Sequence, residues 1–180
     1  MPTLDNDLKF LQSVADPFFR QAHIKKSLVA IREDSISGWE KWLQIEFATF
    51  LRQHKSVKSW GRESQYKLDK RLAKAMHTCS VDFIVHQKYK QSHIALELKQ
   101  INSPPACVCA MIKDIKKLNQ IRRSEFDIRS VWCLGVHNSS SSAVIEREAL
   151  YYASKLGVEI KASLVASKRV GRTGYSYTFV

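Results

Sequence analysis

The stretch Cys79–Gln100, CSVDFIVHQKYKQSHIALELKQ, restricts the fold of this chain more than any other. Apolar and polar residues alternate through Val81–Val85 and again through Ile94–Leu98, and the residues between, QKYKQS, are polar. Alternation with a period of two marks strands with one buried face, and a short polar connection marks a hairpin. A hairpin centred between Tyr89 and Lys90 pairs Val81 with Leu98, Phe83 with Leu96 and Val85 with Ile94. One face is then wholly apolar. The other carries Asp82, Ile84, Ala95, Glu97 and Lys99, and a slip of one residue would turn both sets around.

In this register Asp82 lies opposite Glu97. Directly opposed residues hold their β-carbons about 5 Å apart, where like charges repel. Something must offset that repulsion. Lys99, two residues on and on the same face, is one candidate. A hard divalent cation is another, since magnesium takes one or two protein carboxylates and completes its shell with water and substrate oxygens. A proton shared by the two acids, or a charge cluster on an exposed sheet face, is the alternative without a metal. The tripeptide acid-x-Lys says little alone, because it occurs four times: Asp7-Leu8-Lys9, Glu97-Leu98-Lys99, Asp114-Ile115-Lys116 and Glu159-Ile160-Lys161. The first and third fall in expected helices, where residues two apart diverge. The second and fourth fall in expected strands, and only the second has an acid set against it.

Upstream, SISGWEKWLQIEFATFLRQH has Ser37 followed three residues later by Glu40, a capping-box pattern that predicts a helix running to about Gln53. Trp39, Trp42, Leu43, Phe47 and Phe50 mark its buried side, and Glu46 falls on that side. A glutamate on an apolar stripe is costly unless it is paired or bound to metal. Glu40 is accounted for by the cap, which leaves Glu46 as the helical acid to place at a site.

The order of an acid on a helix, an aspartate on one strand, Glu-x-Lys on the next and then a helix resembles the PD-(D/E)XK nuclease superfamily, whose fold is restriction-endonuclease-like. The resemblance covers about residues 37–122. It implies an α/β fold with a mixed β-sheet flanked by helices, in one domain over 1–180: a helical extension over 1–35 and a nuclease core over 36–180. It implies a metal-dependent phosphodiesterase, an endonuclease more than an exonuclease, using Mg2+ or Mn2+. Asp82 and Glu97 would bind the metal with the Leu98 carbonyl, Glu46 would complete or order its shell, and Lys99 would orient the attacking water. Val81 stands where the nominal motif has proline, and no Gln-x-x-x-Tyr follows Lys99, unlike the RecB-type exonuclease branch. The resemblance leaves a homodimer or a larger nucleoprotein complex open. A nuclease-fold subunit that binds without cutting, and a basic adaptor held by surface salt bridges, are the competing readings.

Charge agrees with a polyanionic partner, DNA more than RNA. The chain carries 29 Lys and Arg against 17 acids, a formal charge of +12. Between Arg52 and Lys74, Lys55, Lys58, Arg62, Lys67, Lys70, Arg71 and Lys74 interleave with Trp60 and Tyr66, a composition suited to a phosphate-binding surface. Lys113, Lys116 and Lys117, with Arg122 and Arg123, extend it. No zinc finger or helix-turn-helix signature accompanies it, so contacts to the phosphate backbone rather than a long recognition site are expected.

The remaining pattern predicts two short helices broken at Pro17, with Leu8, Leu11, Phe18, Phe19, Ile24, Leu28 and Ile31 facing a core. After Ser103-Pro104-Pro105 it predicts a helix near 106–122, a strand near 128–136, a helix near 141–156, and strands near 158–166 and 175–180. Cys79, Cys107, Cys109 and Cys133 lack paired zinc-finger spacing. With no signal segment and no apolar run long enough to cross a bilayer, a cytoplasmic protein with reduced thiols is expected.

Overall fold

A computed structural model describes residues 2–72, 77–121 and 127–180, with side chains from residue 4 onward. It is an open α/β structure, in which six strands form one mixed sheet between two helical layers. The elements are α1 (Pro2–Arg20), α2 (Ala22–Glu33), α3 (Glu40–Gln53), β1 (Val57–Lys67), β2 (Thr78–Gln87), β3 (His93–Gln100), α4 (Pro104–Leu118), β4 (Ile128–Asn138), α5 (Ser142–Leu156), β5 (Ala166–Arg169) and β6 (Tyr175–Phe179). Strand order is β1-β2-β3-β4-β6-β5. Only β3 and β4 run parallel, joined through α4, and every other neighbouring pair is antiparallel.

The hairpin forms in the register its alternation specifies, with Phe83 opposite Leu96, Ile84 opposite Ala95 and Val85 opposite Ile94. Its apolar face packs beneath α1, α2 and α3, where Phe83, Val85, Ile94, Leu96 and Leu98 join Leu11, Phe18, Leu28, Leu43 and Phe47 in one buried cluster. The seven apolar residues expected to face inward from α1 and α2 are all buried. These helices supply ten of the 28 described residues buried in that cluster.

Pro17 does not break α1. Lacking an N–H, it leaves the Ser13 carbonyl without its usual helical partner, and the His54 ring donates to that carbonyl instead. The break comes at Gln21, where ψ of 135° leaves the helical region. The start of α3 also differs from expectation. The helix begins at Glu40 with Trp39 as its N-cap and no side-chain cap bond, so Ser37 and Glu40 form no capping box.

The basic segment after α3 is largely the edge strand β1, which its irregular polarity concealed. Conversely, residues 158–165 form no strand: they pass through a short 3-10 turn at Ala162–Leu164 before the four-residue β5 begins at Ala166. At the other face, α4 starts with Pro104 in its first turn, where a missing N–H costs nothing. It lies close on β4 because Gly135 has no side chain: a Cβ there would sit 2.3 Å from Met111 Sδ and 2.9 Å from Cys107 Sγ.

Candidate active site

Three residues of the hairpin's second face meet two residues of α4. Asp82 is half-buried, and its Oδ2 accepts the Leu98 N–H at 2.9 Å. The carboxylate thereby takes a backbone donor just beyond the three regular β2-β3 pairs. Glu97 lies beside it and is 5% exposed. Glu97 Oε1 has no hydrogen-bond donor, and the cation it meets is Lys117 Nζ at 3.7 Å. Lys99 Nζ lies 2.9 Å from Asp114 Oδ2, and Lys117 Nζ lies 3.7 Å from Asp114 Oδ1. The cluster is therefore Asp82, Glu97 and Asp114 with Lys99 and Lys117.

Two of its members titrate far from their ordinary values, in ways the geometry explains. Burial pushes the Glu97 carboxyl up to about 8, and the neighbouring Asp82 adds to this both by its charge and by accepting the Glu97 proton. Lys117 opposes the rise and Asp114 reinforces it. Lys99 is shifted the other way relative to its desolvation: burial disfavours the ammonium, but the bond to Asp114 and the charges of Asp114 and Glu40 hold it above the ordinary lysine value. Around neutrality Lys99 is a fixed cation and Glu97 holds its proton.

The close approach of α4 over Gly135 is what assembles this group. Gly135 is the β4 partner of Lys99 in the parallel ladder. A helix seated directly on that glycine brings Asp114, one turn beyond Met111 near the Gly135 contact, to the Lys99 ammonium. The thiols at this packing surface are buried, and burial raises the pKa of Cys79, of Cys133 and of Cys107, the last to about 12. All four cysteines are unpaired.

Glu46 is not part of the cluster. Helix α3 covers the hairpin's apolar face, opposite to α4, and Glu46 Oε2 lies 3.3 Å from His23 Nε2 on α2. The cost of a carboxylate on that stripe is met by a histidine and by partial exposure. The acid of α3 that reaches the cluster's end of the sheet is Glu40, whose Oε2 accepts the Gln100 N–H at 2.9 Å and whose charge Lys99 feels. The helix start that removes the capping box frees this carboxylate for β3.

The expected phosphate-binding residues separate. Lys55, Lys58, Lys67, Lys70 and Lys113 are exposed. Arg71 is exposed too and forks onto Asp69 with Nη2 at 2.8 Å and Nε at 3.1 Å. Arg62 is turned inward: its Nη2 donates to Gln44 Oε1 at 3.2 Å, and its guanidinium lies 5.8 Å from the Phe83 ring centre. Lys116 donates to the Leu156 carbonyl at 2.8 Å. Lys117 belongs to the acid cluster. Lys74, Arg122 and Arg123 lie outside the described residues.

Two cluster members were hidden in plain view. Asp114-Ile115-Lys116 is a helical acid-x-Lys repeat whose two ends diverge, and the informative spacing is Asp114 to Lys117 on one helix edge. Among the described residues, no group of three or more His, Cys, Asp or Glu is disposed to hold a metal ion. Two hard carboxylates do converge, Asp82 and Glu97, and the buried Glu97 Oε1 without a donor is an oxygen that a small cation would satisfy. The Leu98 side chain is in the core and its N–H is taken by Asp82, so only its carbonyl could add to that pair.

No protein-family model, curated protein or solved structure matches this chain. No described helix is long and apolar enough to cross a membrane.

Proposed function

We propose that this protein is a metal-dependent nuclease of restriction-endonuclease-like architecture, with Asp82, Glu97 and Lys99 at its catalytic centre and DNA as its favoured substrate. One observation carries the reading: a buried carboxylate oxygen without a donor, on a glutamate set against an aspartate and followed at the second position by a lysine. Simple structural pairing does not call for two acids driven together at the cost of a raised pKa. A bound divalent cation supplies Lewis-acid polarisation of the scissile phosphodiester. Asp82 and Glu97 would hold that cation. Lys99, kept protonated by Asp114, would present its ammonium to the phosphate or to the attacking water, where a preorganised charge counts most. Glu40 takes the place expected of Glu46, ordering the end of β3 through Gln100. The exposed lysines of β1 and its flanks would hold the phosphate backbone with little sequence reading.

A second reading has its own support. Lys99 and Lys117 already neutralise Asp114, and Lys117 approaches Glu97, as they would in a nuclease-fold subunit that binds nucleic acid without cutting it. Purified protein assayed on supercoiled, linear and single-stranded DNA and on RNA, with Mg2+, Mn2+ or chelator, separates the two. The nuclease reading expects metal-dependent cleavage that Asp82→Asn, Glu97→Gln and Lys99→Ala each reduce by at least a hundredfold. It also expects Glu40→Gln to impair cleavage and Glu46→Gln to leave it unchanged. Binding without cleavage of any substrate favours the silent subunit, and cleavage that survives all three substitutions refutes the site.

A further inference from the structure

We infer that the β2-β3 turn is a prong that engages unpaired nucleic-acid bases, with Tyr89 stacking on a base and Lys88, Lys90, Lys55 and Lys58 holding the adjoining phosphates. The inference rests on the proposal that the chain binds nucleic acid, and it concerns a surface remote from the acid cluster.

Tyr89 is fully exposed, at 100%. Its φ is +62°, and the turn is closed by the Lys90 N–H on the Gln87 carbonyl at 3.3 Å. The third position of such a turn ordinarily belongs to glycine or asparagine, because a Cβ crowds the backbone at positive φ. A tyrosine there is strained, and a ring wholly in water makes no contact within the chain that offsets the strain. Strain held in an exposed aromatic is a mark of a side chain displayed to a partner.

The turn is also built to hold still. His86 Nε2 lies 2.6 Å from the Lys90 carbonyl, and the Lys88 N–H donates to Ser56 O at 2.9 Å. Beneath it, the His86 and His93 ring centres are 4.5 Å apart. Arg129 reaches both ends of the turn, donating to Gln87 Oε1 at 2.7 Å and to the Ser92 carbonyl, while its Nε is anchored 2.9 Å from the buried Asp7. A brace of that kind presents Tyr89 at a defined place.

The surroundings select the partner. Val57 pairs with Gln87, which puts the exposed Lys55 and Lys58 beside the exposed Lys88 and Lys90. Nearby, Asp127 lies 3.5 Å from His93 Nδ1. Four lysines around a displayed ring suit a polyanion with flat faces, and aromatic stacking on bases is tolerant of sequence. Inside a duplex those faces are occupied by neighbouring base pairs, so the ring finds one at a fork, an end or a single strand. Gln87, the last residue of β2, is five residues from Asp82. At ~3.3 Å per residue the base of the prong stands ~17 Å from Asp82, a separation of about five stacked nucleotides.

The test is fluorescence anisotropy with a forked duplex and a blunt duplex of the same sequence, at one salt concentration, and with 2-aminopurine at the first unpaired position. The wild-type protein is expected to prefer the fork. Tyr89→Ala and Tyr89→Gly are expected to weaken fork binding about five- to a hundredfold and to leave blunt-duplex binding within about twofold. Tyr89→Phe is expected to keep both the affinity and the quenching of 2-aminopurine. Tyr89→Gly, relieved of strain, is expected to melt no lower than wild type. Lys88→Ala with Lys90→Ala is expected to reduce the salt slope on both duplexes by about 1 to 2. Unchanged fork binding by Tyr89→Ala and Tyr89→Gly, or an equal loss in Tyr89→Phe, overturns the prong while leaving the nuclease reading intact. Failure of the wild-type protein to bind any nucleic acid overturns both.

Discussion

Replacing Glu97 by glutamine should make this protein more stable at alkaline pH, an unusual outcome for a substitution in a buried charged cluster. In the unfolded chain the Glu97 carboxyl titrates near 4.5, whereas in the fold it is pushed up to about 8 by burial and by Asp82. Between those values the folded state holds a proton that the unfolded state has released, so stability falls as pH rises. The loss begins near pH 4.5 and is complete above about pH 8. At about 1.4 kcal/mol per pH unit, the full gap caps the loss at ~5 kcal/mol. Below that cap, about 2–4 kcal/mol is the expected size. Glutamine copies the protonated shape and cannot ionise, so Glu97→Gln should lie near wild type at pH 5 and above it at pH 8.5. For a chain of this length each kcal/mol moves the melting temperature by about 2–4 °C. Thermal melts followed by circular dichroism from pH 5 to 9 read the effect. Magnesium added at pH 8.5 should raise the wild-type melting temperature and leave Glu97→Gln unmoved, because a ligand stabilises only the state that binds it. Parallel pH curves for the two proteins would refute the argument, as would a Glu97→Gln variant less stable than wild type at every pH.

Gly135→Ala should cost about 1–3 kcal/mol by overpacking, since its Cβ would meet Met111 Sδ at 2.3 Å; the displacement of α4 should also loosen Lys99 from Asp114, visible as a fall in cleavage beyond the loss of stability. Asp7→Ala should cost about 3–5 kcal/mol in denaturant unfolding, because it strands the buried Arg129 guanidinium and removes the acceptor of Ser130 Oγ at 2.6 Å. By freeing the base of the β2-β3 turn, the same variant should increase amide exchange at residues 87–92.

The sequence was most legible where local pattern and burial agree. Alternation over Val81–Val85 and Ile94–Leu98 specified not only two strands but their register, because a slip of one residue would bury Asp82, Glu97 and Lys99 against α3 and take Phe83 and Leu96 out of the cluster beneath it. The helical spacing of Leu8, Leu11, Phe18 and Ile24 likewise named the residues that reach the core. The juxtaposition of Asp82, Glu97 and Lys99 follows from that register alone, since strand geometry is periodic and short-range.

Which helix meets which face of the sheet was decided by the tertiary structure. Glu40 and Glu46 are both acids of α3, six residues apart, and the stripe that draws α3 onto Phe83 and Leu96 gives no sign that its first turn reaches Gln100 while Glu46 turns to His23. Asp114 and Lys117 became cluster members because Gly135 lets α4 settle on β4, a contact between residues more than twenty apart in the chain. Arg62 was lost from the basic surface for a similar reason: on β1 it faces Phe83 and Gln44, and an edge strand in a charged segment leaves only a weak periodic trace. Periodicity determines the side of an element on which a residue lies, whereas the partner on that side depends on close packing between distant elements, and no local pattern encodes it.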